Sequence, residues 1–260
     1  MFKFGFLLLG LSILITSSWV SSKLPKKIPG ALRFLNGRPY AGFRGHRFNI
    51  PKEKREAFER KYNEADYEFY FTQILDHFSS NDSRTWNQRY FFNDEYYQDG
   101  GPQFLNIGGE GPESYMDVTY PELPFIMWAK ELKAMVFSLE HRFYGKSRPF
   151  TSQTVPALTY LTSRQAIEDI ANFIRSMNTK KNIKNPKWII FGGSYSGALS
   201  MWTKKIHSDL VLGSIASSSP AQATIDFYKY LETCEASLYK NGSFFCGEEI
   251  RKGVKKMVEF

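Results

Sequence analysis

From Tyr67 onward, short runs of apolar residues alternate with stretches in which apolar positions recur every three or four residues. YEFYFTQ (67–73) and QRYFF (88–92) read as aromatic-rich strands parted by the turn-prone SSNDS. QFLNI (103–107) is a short, buried-type strand running into GGEGPES, and a helical stretch over 124–132 leads to a further strand, AMVFSL (134–139), which ends at EHRFYGKS. TSRQAIEDIANFIRSM opens with Thr162 and carries Gln165 three residues on, the pattern of a capping box. Ala166, Ile167, Ile170, Phe173 and Ile174 follow at helical spacing. KWIIF (187–191), a Gly and Ser cluster, a helix to about residue 205 and LVLGSIAS (210–217) complete the series.

Short strands that are apolar throughout, alternating with amphipathic helices, predict an α/β fold: a mostly parallel sheet covered on both faces. In such sheets ligands bind beyond the carboxyl ends of the strands. GGEG follows the strand ending at 107, the His-Arg-Tyr stretch follows 139, and GGSYSG follows 191, so all three conspicuous stretches fall at that edge.

The sequence IIFGGSYSGALS joins a strand to a helix through a turn of small residues, the geometry of a nucleophile elbow. The backbone there passes so close to itself that the residues two before and two after the serine must be small. Ser194 has Gly192 and Ser196 at those places, and Ser196 has Ser194 and Ala198, so spacing alone leaves both open. A sharp turn immediately after Phe191 favours Ser194. The strict G-x-S-x-G pattern is missed by one residue, because Ser196 stands where the second glycine would be. A phosphate-binding loop would need a Lys after the last glycine, and none is there. An elbow also needs N–H donors for a tetrahedral oxyanion. The amide of Tyr195 is one candidate, and the loop at 108–111, with Gly109 and Glu110, is placed to give the other.

The start of the chain reads differently. An apolar stretch from Phe4 to Ile15 followed by small residues at Val20 and Ser22 is the pattern of a cleaved signal peptide over 1–22, which implies a secreted or lumenal protein without a membrane span. The formal charge of +8 then loses its look of a nucleic-acid signal. Residues 23–61 hold 12 Lys and Arg against three Glu, whereas 62–260 hold 21 basic and 23 acidic residues. The excess belongs to a Pro- and Gly-containing leader without apolar periodicity, read as a pro-segment or surface arm. In an oxidising compartment Cys234 and Cys246 are expected to be oxidised, with a bond to each other modestly favoured. Asn81 and Asn241 fit the glycosylation acceptor pattern. No CxxC, paired His or HExxH occurs, so neither a metal nor a cofactor is expected.

LDHF (75–78), RTWNQRYFFND (84–94), NIGGEGPES (106–114), SLEHRFYGKSRPF (138–150), LTYLTSRQAIEDIANFI (158–174), KWIIFGGSYSGALSMW (187–202) and SIASSSPAQATIDFYKYLE (214–232) together resemble the serine peptidases related to lysosomal Pro-X carboxypeptidase, dipeptidyl peptidase 7 and thymus-specific serine protease, with GGEGP closest to the thymus-specific branch. The resemblance implies an α/β-hydrolase fold over 62–224, the start of a helical insertion domain over 225–260, and hydrolysis of peptides, in relatives on the carboxyl side of proline. It puts the nucleophile on Ser194, the oxyanion donors on Tyr195 and the 108–111 loop, and Glu110 at the substrate mouth. His141, at the same edge of the sheet, is a weaker candidate for that mouth.

A triad in this fold runs in the order Ser, Asp, His. Of the four histidines, His46, His77 and His141 precede Ser194, and His207 is carried by a helix to the far end of the sheet. The family's Asp and His are therefore expected beyond Phe260, and the chain reads as a fragment or shortened isoform. A catalytically silent secreted form and an esterase or lipase are the competing readings. The expected partners are a peptide substrate and, as an assembly, a homodimer; nucleic acid is not among them.

Overall fold

A computed structural model describes residues 52–259, together with a two-residue antiparallel pairing of β1 (Phe34–Leu35) with β2 (Arg38–Pro39). The expected signal peptide, His46 and most of the basic leader lie outside the described residues. Two compact units are present, the first ending at Ser219 and the second beginning at Pro220.

The first unit is built on six strands, β3 (Glu68–Ile74), β4 (Thr85–Asn93), β5 (Gln103–Ile107), β6 (Met135–Leu139), β7 (Trp188–Gly193) and β8 (Val211–Ser217), in the spatial order β3-β4-β6-β5-β7-β8. β6, β5, β7 and β8 are mutually parallel, and β3 and β4 join as antiparallel neighbours. The helices are α1 (Lys52–Lys61), α2 (Met116–Thr119), α3 (Pro124–Leu132), α4 (Val155–Leu158), α5 (Ser163–Lys180) and α6 (Tyr195–Ile206).

Every residue of β5 and β6 is buried, which explains their uninterrupted apolar character. The pleat sends alternate side chains to opposite faces. Leu105, Phe137 and Ile190 pack with Ile170, Phe173 and Ile174 of α5 and Leu199 of α6. Phe104, Val136 and Phe191 face the other way, against Phe125, Ile126 and Ala129 of α3. The sheet is thus sandwiched, and its functional edge is left to the loops that follow β5, β6 and β7.

Two expectations are corrected here. The end of the leader is not a bare arm: it forms α1, whose Phe58 is buried, stacked with Tyr62 and Tyr115 and edge-on to Tyr120. A single large aromatic leaves no periodicity to read, yet suffices to dock a ten-residue helix onto an aromatic surface. The capping box at α5 is half made. Thr162 Oγ1 accepts from the Gln165 N–H at 3.2 Å, but the Gln165 side chain donates to Asp76 at 2.6 Å and accepts from the His77 N–H instead of turning back. A nearby loop with unsatisfied backbone outbids the local partner.

The second unit is a pair of helices, α7 (Tyr228–Asn241) and α8 (Phe244–Val258), the latter capped by Ser243. Cys234 and Cys246 are both free and exposed, so the bond between them that the sequence modestly favours is not formed here. The two thiols sit on separate helices, which approach closely where Gly247 lies against the Tyr239 ring. Asn81 and Asn241 are exposed.

Candidate active site

The turn between β7 and α6 is the sharpest feature of the chain. Ser194 has φ 58° and ψ −126°, a conformation that non-glycine residues avoid and that persists only where surrounding structure enforces it. Three contacts enforce it. The Ser194 N–H donates to the Ser217 carbonyl of β8 at 2.9 Å, extending the parallel ladder to the last residue before the turn. The Ser194 carbonyl accepts from Ala198 N–H at 3.1 Å, starting α6. Gly192 lies so close to the Ser196 carbonyl that any Cβ would overlap it.

The two serines left open by spacing are separated by this geometry. Ser196 is buried, and its Oγ accepts from the Gly193 N–H at 3.1 Å and donates to the Gly193 carbonyl at 2.9 Å. Its hydroxyl is consumed inside the turn. Ser194 is exposed, and its Oγ has no hydrogen-bond partner among the described residues. The small residue that the elbow requires two positions after the serine is met by a serine whose polar atom is satisfied locally, so the missing glycine is no defect.

The loop after β5 is drawn to the same edge. Gly108 donates to the Leu139 carbonyl at 2.8 Å, and a side chain at that position would strike the backbone of Leu139 and His141. At its far end, Glu113 N–H donates to Glu140 Oε1 at 3.0 Å, while the Glu113 carboxylate accepts from Asn106 at 2.9 Å and from Ser138 at 2.8 Å. Clamped at both ends, the segment between leaves Glu110 exposed and the amides of Gly109 and Glu110 without an acceptor among the described residues. Tyr195, as the first residue of α6, likewise has an amide with no acceptor inside the helix. The structure therefore brings an exposed strained serine to the same sheet edge as unspent N–H groups from two elements.

His141 is not at an open mouth, as the sequence suggests, but buried. Its Nδ1 lies 2.7 Å from the Arg142 carbonyl and its Nε2 3.1 Å from the Tyr195 hydroxyl. Burial pushes its pKa down, against the hydrogen bond to the Arg142 carbonyl and the attraction of Asp169 and Glu110. The Tyr195 hydroxyl is pushed up, also by burial. His77 is bonded to Asp169 at 2.8 Å and His207 to Glu168 at 2.9 Å, where His207 closes the carboxyl end of α6, at the far end of that helix from Ser194. No described histidine bonds to Ser194.

Sequence reasoning missed the ion pairs flanking His141. Glu140 is fully buried and paired with Arg89, whose Nε is 3.2 Å away, and Arg142 is fully buried in a two-pronged pair with Asp169 at 2.6 and 2.7 Å. The available signal was Asp169, a carboxylate three residues from Ala166 and four from Phe173 on the apolar face of α5. Among the described residues no group of three or more His, Cys, Asp and Glu could hold a metal, and no helix is long and apolar enough to cross a membrane.

A mixed sheet covered on both faces, with a strained serine at the turn from its fifth strand in spatial order into a helix, defines an α/β hydrolase. The chain belongs to the Serine carboxypeptidase S28 family, whose profile matches residues 73–260. A putative serine protease of Caenorhabditis elegans is 48% identical over 184 residues, which is 70% of this chain and 36% of the relative. The thymus-specific serine protease of Mus musculus is 40% identical over 67% of this chain and 35% of its own length, and the lysosomal Pro-X carboxypeptidase of Pongo abelii is 35% identical over 70% and 38%. The chain thus spans little more than a third of the curated relatives it matches.

Proposed function

We propose that the protein of which these residues form part is a serine-type peptidase acting through an acyl-enzyme on Ser194. The observation that carries this reading is the exposed Ser194 hydroxyl held at φ 58°, beside the unspent amides of Tyr195 and the 108–111 loop. Attack of Ser194 Oγ on a peptide carbonyl would form a tetrahedral oxyanion; the N–H of Tyr195 with that of Gly109 or Glu110 would stabilise it, and collapse would expel the amine and leave an ester on Ser194. Family membership and relatives named as serine proteases support peptides as the substrate. The relatives' names further support trimming at a chain end, in the manner of a Pro-X carboxypeptidase, and a secreted or lysosomal location, which the exposed acceptors Asn81 and Asn241 suit. Glu110, exposed and close enough to bias both His141 and Tyr195, would sit where a substrate enters.

A serine hydroxyl without a base is a weak nucleophile near neutral pH. No described histidine bonds to Ser194, and His46, outside the described residues, precedes it; since the order in this fold is Ser, Asp, His, we assign the base and its orienting acid to residues that follow those described. The same observation favours a second reading, in which the 260-residue form by itself binds without cleaving. A fluorophosphonate probe separates the two. It should label a longer, peptide-cleaving form at Ser194, fail on Ser194→Ala, and leave the 260-residue form essentially unlabelled. Strong labelling of the short form at Ser194 would show that a base is present within it, and labelling of the Ser194→Ala variant would sink the assignment of the nucleophile.

A further inference from the structure

The first turn of α6 must be held still if the Tyr195 amide is to meet an oxyanion, yet Ser194 at its N-cap makes no side-chain capping bond. Besides the backbone contacts of the turn, Tyr195 is held by its own ring. The hydroxyl at its tip is bonded to two other elements at the same edge of the sheet, His141 Nε2 after β6 at 3.1 Å and Ser163 Oγ, the first residue of α5, at 3.2 Å.

The protons in this cluster can be placed by elimination. The Arg142 carbonyl, 2.7 Å from His141 Nδ1, can only accept, so Nδ1 carries a proton. Burial favours the neutral ring over the imidazolium, and a neutral ring with its proton on Nδ1 leaves Nε2 an acceptor. The Tyr195 hydroxyl must then donate to Nε2, and having spent its one proton it must accept from Ser163. Ser163, Tyr195, His141 and the Arg142 carbonyl form a one-way chain of donors with every member satisfied. The backbone that carries the buried His141 is held on both sides, because Glu140 and Arg142 are both fully buried in ion pairs with Arg89 and Asp169.

We propose that His141 is a positioning residue of the Ser194 site: its Nε2 anchors the Tyr195 hydroxyl and thereby fixes the backbone N–H that Tyr195 presents to the oxyanion. This rests on the serine-peptidase reading above. Both ring nitrogens of His141 are engaged by the Arg142 carbonyl and the Tyr195 hydroxyl, and neither bonds to Ser194. This role converts the rigidity of the two ion pairs into the orientation of one amide, and it explains a histidine at the functional edge that is buried and on the wrong side of Ser194 in the chain to serve as base.

The test is steady-state peptide hydrolysis by a peptide-cleaving form containing these residues, with Ser194→Ala as the reference. Tyr195→Phe and His141→Ala should each lower kcat by about tenfold to a hundredfold while KM moves by less than about twofold, since an interaction made in the transition state is weakened and substrate contacts are not. The double variant should be no worse than the worse single one. His141→Gln, whose Oε1 can accept from Tyr195, should recover part of the loss. Full kcat in Tyr195→Phe and His141→Ala, with Ser194→Ala inactive, would overturn the positioning role and leave the serine reading intact. Activity in Ser194→Ala would overturn both. A second measurement needs no catalysis. In the 260-residue chain with 15N-labelled histidine, His141 should be protonated at Nδ1 and bare at Nε2, and Tyr195→Phe should shift the Nε2 resonance. A proton on Nε2, or an Nε2 resonance indifferent to Tyr195→Phe, would overturn the proposal on its own.

Discussion

Ser196 is a brace whose hydroxyl closes on both the N–H and the carbonyl of Gly193. Ser196→Ala would leave the Gly193 N–H with no side-chain acceptor, and a cost of about 1 kcal/mol in denaturant unfolding is expected, with a loss of activity far smaller than that of Ser194→Ala. Equal losses in the two variants would mean that the two hydroxyls cannot be told apart by role. The neighbouring glycines differ as sharply. A Cβ on Gly192 would overlap the Ser196 carbonyl, whereas one on Gly193 meets nothing nearer than the Ser217 carbonyl at 3.9 Å. Gly192→Ala should therefore destabilise by about 2 kcal/mol or more, because backbone must move, and Gly193→Ala by well under about 1 kcal/mol. Thermal melts of the pair check the contrast, and equal melting points would contradict it.

The segment after β6 shows how an element end is made rigid. Glu140 is tied to Arg89 and also accepts from the N–H groups of Lys146 at 3.0 Å and Ser147 at 2.9 Å, so the chain is folded back on the carboxylate. Arg142 adds bonds to the Leu75 and Tyr160 carbonyls at 3.1 and 2.9 Å, joining the end of β3 and the approach to α5 in one network with Asp169. Removing one partner of a buried pair strands the other charge. Asp169→Asn should cost about 3 to 5 kcal/mol in urea unfolding, and replacing Arg142 and Asp169 together by Met and Leu should cost less than Asp169→Asn alone. A double replacement that costs more than the single would show that the hydrogen bonds to Leu75 and Tyr160, not the charge pairing, carry the stability.

For the whole molecule the same buried histidine links stability to pH. A folded His141 with its pKa below the ordinary 6.5 resists a proton that the unfolded chain accepts. The unfolded state then binds more protons, so the contribution of His141 to stability is intact above about pH 6.5 and falls away as pH drops below that value. Arg142 beside it opposes protonation, and Asp169 and Glu110 favour it, but burial outweighs both carboxylates. Melting temperature measured between about pH 7 and pH 5 should fall, and His141→Gln should flatten the slope whatever it does to absolute stability. An unchanged slope in His141→Gln would place the dependence on another group.

The periodicity of apolar residues determined the strands of the large sheet and the helices α3, α5 and α6, though not α1, α2 or α4, because burial on one face or two leaves a period that a long enough segment displays. β5 and α3 fall on the residues read for them, and the remaining strands agree to within a few residues at their ends. The Gly and Ser cluster likewise declared an elbow, since only small residues tolerate the close approach of backbone there. Three things were decided by tertiary contacts alone. The place of the turn already favoured Ser194 over Ser196, but why Ser196 is not the reactive one, its hydroxyl spent inside the turn, is a matter of tertiary contact. The docking of α1 depended on Tyr115 and Tyr120, two aromatic rings distant in sequence from Phe58. The ion pairs around His141 join residues 27 and 51 positions apart, and a charge inside an apolar run carries no local mark of the partner that permits its burial.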